Sequence, residues 1–178
     1  MAKIAVVLFN LGGPDRPESV EPFLFNLFND PAIIGLPWPL RPFLARVLSA
    51  RRKKVAQEIY ENIGGGSPLL GLTLEQADAL ERALSRGDET FRVFVSMRYW
   101  QPMSDETALL VKDFAPDEVV LLPLYPQYST TTTASSLKDW RRAAAAAKLT
   151  APSRSIESYP MQDGLIRAQA DLLAAGLK

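Results

Sequence analysis

The sequence predicts a three-layer α/β sandwich, an open, mainly parallel four-stranded sheet with helices on both faces, and three observations lead there. Two short runs, Ile4-Ala5-Val6-Val7-Leu8 and Val119-Val120-Leu121-Leu122, are apolar without alternation, as strands buried on both faces must be. Segments with apolar residues at helical spacing separate the strands, so strands are joined by crossovers rather than by hairpins. Finally, 178 residues with 47% apolar and 22% charged side chains suit one domain with a sizeable core.

The elements follow in order. Residues 3–9 form the first expected strand. Ser19 can cap a helix whose Val20, Phe23, Leu24, Leu27 and Phe28 fall at i, i+3, i+4, i+7 and i+8, with Pro22 tolerated in its first turn. A second helix is expected over residues 42–62, ending at Gly64-Gly65-Gly66. Thr73-Leu74-Glu75-Gln76 has the form of a capping box and would open a third helix, with Ala77, Leu80 and Leu84 on its buried face and Gly87 as its stop. Residues 91–97 are the second strand. Ser104, followed by Asp105 and Glu106, opens the next helix, and Pro116 lies beyond its end. Residues 118–124 are the third strand, Ser136 caps an Ala-rich helix running to Lys148, and residues 154–157 make a weak fourth strand. The last helix, over residues 161–176, is expected to turn Leu165, Ile166, Leu172 and Leu173 inward.

Composition excludes several chemistries. Twenty Lys and Arg balance twenty Asp and Glu, which argues against a phosphate-tracking nucleic-acid surface. Without cysteine there is no disulfide and no cysteine-ligated zinc or iron–sulfur site, and without histidine the commonest general base near neutral pH is missing. The apolar run of residues 4–9 is shorter than a secretory h-region and is broken by Gly12, Gly13 and Pro14, so a cytoplasmic location is expected. Residues 33–40 (IIGLPWPL), followed by Arg41, Arg46, Arg51, Arg52, Lys53 and Lys54, make an apolar lip beside a basic run. That pattern suits peripheral contact with the inner face of a membrane or an amphiphilic anion, and equally a Pro-rich loop leading into a solvated helix.

Ligands of open parallel sheets bind outside the carboxyl ends of the strands. Those ends run into Asn10-Leu11-Gly12-Gly13-Pro14, Met97-Arg98-Tyr99-Trp100 and Tyr125-Pro126-Gln127-Tyr128 with the hydroxyl run of residues 129–133. Neither glycine cluster extends to a dinucleotide or Walker pattern. Gly12-Gly13-Pro14 reads as a tight strand-to-helix turn or as backbone that admits a flat ligand. Gly64-Gly65-Gly66-Ser67-Pro68 reads as a flexible joint or as a close backbone approach with the Ser67 hydroxyl on offer. Arg98 and Tyr99 are either an arginine paired to a carboxylate with tyrosine as packing, or a cationic and phenolic pair facing the cleft. The hydroxyl run is either a helix-cap region or a polar wall. Together these residues suit a large, flat, mostly apolar molecule with anionic edges.

These four blocks, Asn10 to Pro14, Gly64 to Pro68, Met97 to Trp100 and Leu124 to Thr132, resemble the signature blocks of the ferrochelatase family, in family order. The resemblance spans nearly the whole chain and about the first half of a family member. It implies a chelatase-like, flavodoxin-like fold, the first of two similar domains, with residues 1–178 as the N-terminal half of a porphyrin cleft. It implies insertion of ferrous iron into a porphyrin, protoporphyrin IX foremost, as the activity of the parent protein, with iron as substrate and no resident cofactor. By resemblance, Leu11 lies over the macrocycle face, and Arg51, Arg52, Tyr60 and Ser67 hold propionates or line the pocket. Arg98, Tyr99 and Tyr125 form the inner polar face, where iron approaches. The family's catalytic histidine and its acidic partner would lie beyond Lys178, in a second domain, so no catalytic residue is expected here and this chain alone is expected to be inactive. Ala134 stands where many members carry glycine. The alternatives are a stand-alone porphyrin-binding or scaffold module and another tetrapyrrole chelatase, such as a cobalt enzyme for sirohydrochlorin.

Overall fold

The computed structural model describes residues 1–85 and 87–177. In chain order it contains β1 (Lys3–Asn10), α1 (Val20–Phe28), α2 (Leu40–Glu61), α3 (Leu69–Leu84), β2 (Thr90–Met97), α4 (Ser104–Phe114), β3 (Glu118–Pro123), α5 (Ser135–Ala147), β4 (Ser153–Ser155) and α6 (Asp163–Gly176). The strands form one four-stranded sheet in the order β2-β1-β3-β4, and every pairing is parallel. This is the open α/β sheet that the unbroken apolar runs predict.

Because side chains alternate along a strand, β1 feeds two cores. Ala5, Val7 and Phe9 point to the face covered by α4 and α5, where Ala108, Val111, Leu137, Trp140 and Ala143 complete the cluster. The Trp140 ring meets Phe9 edge-on, with centroids 5.7 Å apart. Ile4, Val6 and Leu8 point to the opposite face, where Ala77, Leu80 and Leu84 of α3 cover them. A third cluster lies at the carboxyl end of the sheet. There Val20, Phe23 and Leu24 of α1, with Ala56 and Tyr60 of α2, close over Tyr99 and Trp100. The α1–α2 pair therefore roofs the strand tips, which is what turns an ordinary sheet edge into a recess.

Several expectations from the sequence are corrected. Thr73 does not open α3, which begins a full turn earlier at Leu69. Thr73 is buried within the helix, donating to the Leu69 carbonyl at 2.7 Å and accepting from Asn10 Nδ2 at 3.2 Å, so its hydroxyl ties α3 to the tip of β1 instead of capping. Ser19 precedes α1 as expected, but its hydroxyl makes no cap bond and donates to Asp15 Oδ1 at 2.6 Å. Nor does Ser136 cap α5. A π-helical turn over Thr130–Ala134 enters that helix, and the capping hydroxyl is Ser129, which accepts from the Thr131 N–H at 3.3 Å. The expected fourth strand is shorter and earlier, at Ser153–Ser155. The largest departure is α6, which has no buried residue; Leu172 is 74% and Leu173 69% exposed. Of its apolar stripe Leu165 is half-buried, whereas Ile166, Leu172 and Leu173 stay exposed.

Candidate functional site

The three strand tips meet as predicted and are stitched by backbone hydrogen bonds that continue past the strands. The Arg98 and Tyr99 N–H groups donate to the carbonyls of Asn10 and Leu11, each at 2.9 Å, and Leu124 N–H donates to Phe9 at 2.8 Å. The glycines of both clusters serve this junction. Gly12 has φ +81°, and a Cβ there would meet Trp100 N at 3.1 Å. A Cβ on Gly13 would sit 2.5 Å from the Ser67 side chain, and one on Gly66 would strike the Asp15 carbonyl. Ser67 N–H donates to the Pro14 carbonyl at 2.7 Å. Close backbone approach is thus the reason for Gly13 and Gly66, but what approaches is the other loop of this chain. Gly64 and Gly65, both at positive φ, turn the chain out of α2.

On one flank of this junction lie Leu11, about one-third exposed, Ser67, whose Oγ accepts from Leu69 N–H at 3.3 Å, and Tyr60. The Tyr60 hydroxyl comes within 3.9 Å of the position a Gly13 Cβ would take, and burial raises its ionisation above the ordinary tyrosine value. Trp100 Nε1 donates to Asp15 Oδ1 at 2.9 Å, the oxygen that also receives Ser19. Hydrogen bonds from Ser19, and more weakly from Trp100, hold that carboxyl below its usual value against the cost of burial.

The other flank is a buried polar wall centred on Asp30. Asp30 Oδ2 accepts from Arg98 Nη2 at 2.7 Å, from the Tyr99 hydroxyl at 3.0 Å and from Ser135 Oγ, while Oδ1 accepts from Ala32 N–H at 2.7 Å. Burial opposes ionisation of this carboxyl. The hydrogen bonds from Ser135 and Ala32 and the Arg98 charge outweigh it, so Asp30 stays ionised below the usual range. Arg98 Nε also donates to Ser135 Oγ at 2.8 Å, and its Nη1 lies 3.9 Å from Asp139. Of the two readings of Arg98 and Tyr99, the geometry is that of an arginine paired to carboxylates. Tyr99 is fully buried rather than facing a cleft, and burial together with the Asp30 charge pushes its ionisation far up. Tyr125, with its hydroxyl 3.5 Å from Ser136 Oγ, is pushed up to about 12 by burial. Both phenols are protonated at neutral pH, and neither can accept a proton. An open groove of about 550 Å³ lies against this wall, lined by Asp30, Ala32, Arg98, Thr130, Lys138 and Arg142 among others.

Arg51 and Arg52 lie further out. Both are exposed on α2 and have no ion pair among the described residues. Arg52, Ala56 and Tyr60 follow one ridge at i, i+4 and i+8, which places Arg52 about 12 Å along the helix from Tyr60. The structure thus joins Leu11, Tyr60, Ser67, Arg98, Tyr99 and Tyr125 in one contiguous region, with the two arginines on its approach. Sequence reasoning missed Asp30. Its signal was present: a carboxylate just beyond the end of α1, where the helix dipole disfavours negative charge, calls for a cationic partner.

Comparison with known proteins shows the family of the chain. The ferrochelatase family model matches residues 3–178. Ferrochelatases of Phenylobacterium zucineum and Caulobacter vibrioides are 58% and 55% identical over 96% of this chain, covering 50% and 49% of those proteins. The ferrochelatase of a Wolbachia from Drosophila simulans is 51% identical over 97% of this chain and 55% of its own length. The chain spans about half the length of the curated relatives it matches. It belongs to the ferrochelatase family.

Proposed function

We propose that this chain is the porphyrin-binding N-terminal half of a ferrochelatase that inserts ferrous iron into protoporphyrin IX to make haem. The observation that carries this is the meeting of three strand tips under the α1–α2 roof, apolar at Leu11 and polar at Ser67, Arg98 and Tyr125. A flat macrocycle takes its stabilisation from apolar faces, and its propionates take theirs from cations at the rim. Leu11 lies against the macrocycle face, Tyr60 and Ser67 line the pocket edge, and Arg51 and Arg52 hold propionates on the approach. Arg98 and Tyr125 present the inner polar face on the iron side, with Tyr99 standing behind Arg98.

Metal insertion releases two pyrrole protons, which need an acceptor close to the ring centre. The protonated phenols, the arginine and the hydrogen-bonded Asp30 carboxylate described here are poor acceptors, and the sequence has no histidine. In this reading the acceptor is supplied by a second domain, as the resemblance to the family implies, and this half alone does not insert metal. Relatives about twice as long, and the largely exposed apolar stripe of α6, support a domain pair in which the second half packs on this one. Iron is substrate, and the chain carries no iron–sulfur cluster or other resident cofactor.

No described helix is long and apolar enough to cross a membrane. We place the protein in the cytoplasm with peripheral membrane contact, supported by the exposure of Trp38 in the lip, at 77%, and of Phe43 in the first turn of α2, at 72%.

The test is fluorescence titration of the full-length protein with protoporphyrin IX, with zinc insertion as the activity readout. Arg52→Ala should weaken binding by about 1–3 kcal/mol through lost charge pairing. An unchanged dissociation constant at low salt removes the propionate assignment. Equal turnover of a corrin precursor with cobalt would favour a different tetrapyrrole chelatase.

A further inference from the structure

We infer that Asp30 is the positioning residue of the strand-tip site, the group that registers the apolar lip against the polar wall of Arg98, Tyr99 and the start of α5; the inference rests on the site proposed above. Asp30 joins three segments that are distant in sequence. Its backbone carbonyl accepts from Ile33 and Ile34 at 3.0 and 2.9 Å, and its Oδ1 from Ala32, which together shape the turn leading into the lip. Its Oδ2 takes Arg98, Tyr99 and Ser135, at sequence separations of 68, 69 and 105.

Three donors converge on one oxygen of a side chain only 2% exposed. Such a charge is costly beyond the end of a helix, and it persists there because each donor compensates it. The charged groups facing it are Arg98 from the end of β2 and, along the groove, Lys138, Asp139 and Arg142 from α5. Arg98 is stretched between Asp30 at 2.7 Å and Asp139 at 3.9 Å. With the Asp30 charge gone, the remaining pull on the guanidinium is toward Asp139, away from Tyr99 and the lip. Tyr99 then exchanges a charged acceptor 3.0 Å away for a neutral and weaker one, with the Thr131 carbonyl 3.5 Å away as a competing partner. Asp30 therefore acts on the reaction through Arg98 and Tyr99, and its removal misplaces the inner wall without removing any group that holds propionates.

The experiment uses the full-length protein with ¹³Cζ-labelled tyrosine. Asp30→Asn keeps the shape and drops the charge. The expected result is a moved Tyr99 ζ-carbon resonance in the ligand-free protein, zinc insertion slowed about tenfold or more, and a porphyrin Kd changed by less than about twofold. Adding Tyr99→Phe to Asp30→Asn should slow insertion by less than about a further twofold, because the two act as a unit. An unmoved Tyr99 resonance, effects that multiply fully, or a loss expressed entirely in Kd would overturn the inference. If the wild-type protein neither binds nor metallates porphyrin, the proposed function fails while the Tyr99 resonance still decides the role of Asp30. If Asp30→Asn does not fold, Tyr99→Phe carries the test in protein with ¹³Cγ-labelled aspartate: the Asp30 carboxyl resonance should titrate at higher pH than in wild type, having lost a donor, and an unchanged titration overturns the inference.

Discussion

The two rims of the sheet share the same central strands, and each pairs an arginine with a carboxylate, buried at one rim and exposed at the other. At the carboxyl rim Asp30 is buried and receives Arg98, Tyr99, Ser135 and the Ala32 amide. At the amino rim Arg154 meets Glu118 at 2.6 Å with side chains 67% and 35% exposed, and Asp117 accepts from Lys3 N–H at 2.7 Å beside an open surface. The difference comes from the α1–α2 pair, which roofs the first rim and leaves the second to water. Charges placed in water at one end are adjustable, whereas those sealed at the other end are an assembled unit, which is what a binding site requires.

Breaking the sealed rim should have the largest effect. Asp30→Ala leaves Arg98 short of its nearest counter-charge and should cost about 3–5 kcal/mol in urea unfolding of the full-length protein. A cost below 1 kcal/mol would erase the contrast between the rims. Gly66→Ala drives a methyl into the Asp15 carbonyl and should cost about 1–3 kcal/mol by the same measurement.

Acid separates the rims further. Because the folded Asp30 carboxyl lies below its ordinary value, its contribution is complete above the unfolded value of about 3.9 and is lost as pH falls through the folded value. Asp30→Asn should therefore flatten the loss of stability between pH 5 and acid, read as urea midpoints, and an acid limb as steep as wild type would assign that loss elsewhere. Gly71→Ala, in open space on α3 only five residues from Gly66, should stabilise by about 0.5–1 kcal/mol. The smallest effect belongs to the amino rim, where Glu118→Gln should change stability by about 0–1 kcal/mol.

Much of the fold was legible because unbroken apolar strands and helical periodicity are local signals. Every strand and helix was placed, and the convergence of Asn10, Met97 and Pro123 at one rim follows from parallel topology. What failed were assignments in which tertiary partners compete for a side chain. Thr73 looks like a cap, but its hydroxyl is taken by Leu69 and Asn10. Ser19 is drawn to Asp15. The α6 stripe is periodic, yet periodicity states only that a face is apolar and not what covers it. The candidate site divides in the same way. Gly66 signalled a close approach without saying that Asp15 is what approaches, and the hub of the polar wall, Asp30, has partners 68 to 105 residues away that no local pattern reveals.

Backbone amide hydrogen exchange, measured on the full-length protein with and without protoporphyrin IX, tests the central claim most directly. Slowed exchange is predicted in residues 11–15, 64–68 and 125–134, with the lip of residues 33–40 following and residues 87–90, 115–118 and 150–154 unchanged. Protection confined to those amino-rim segments, or spread evenly over both ends of the sheet, would contradict docking at the strand tips.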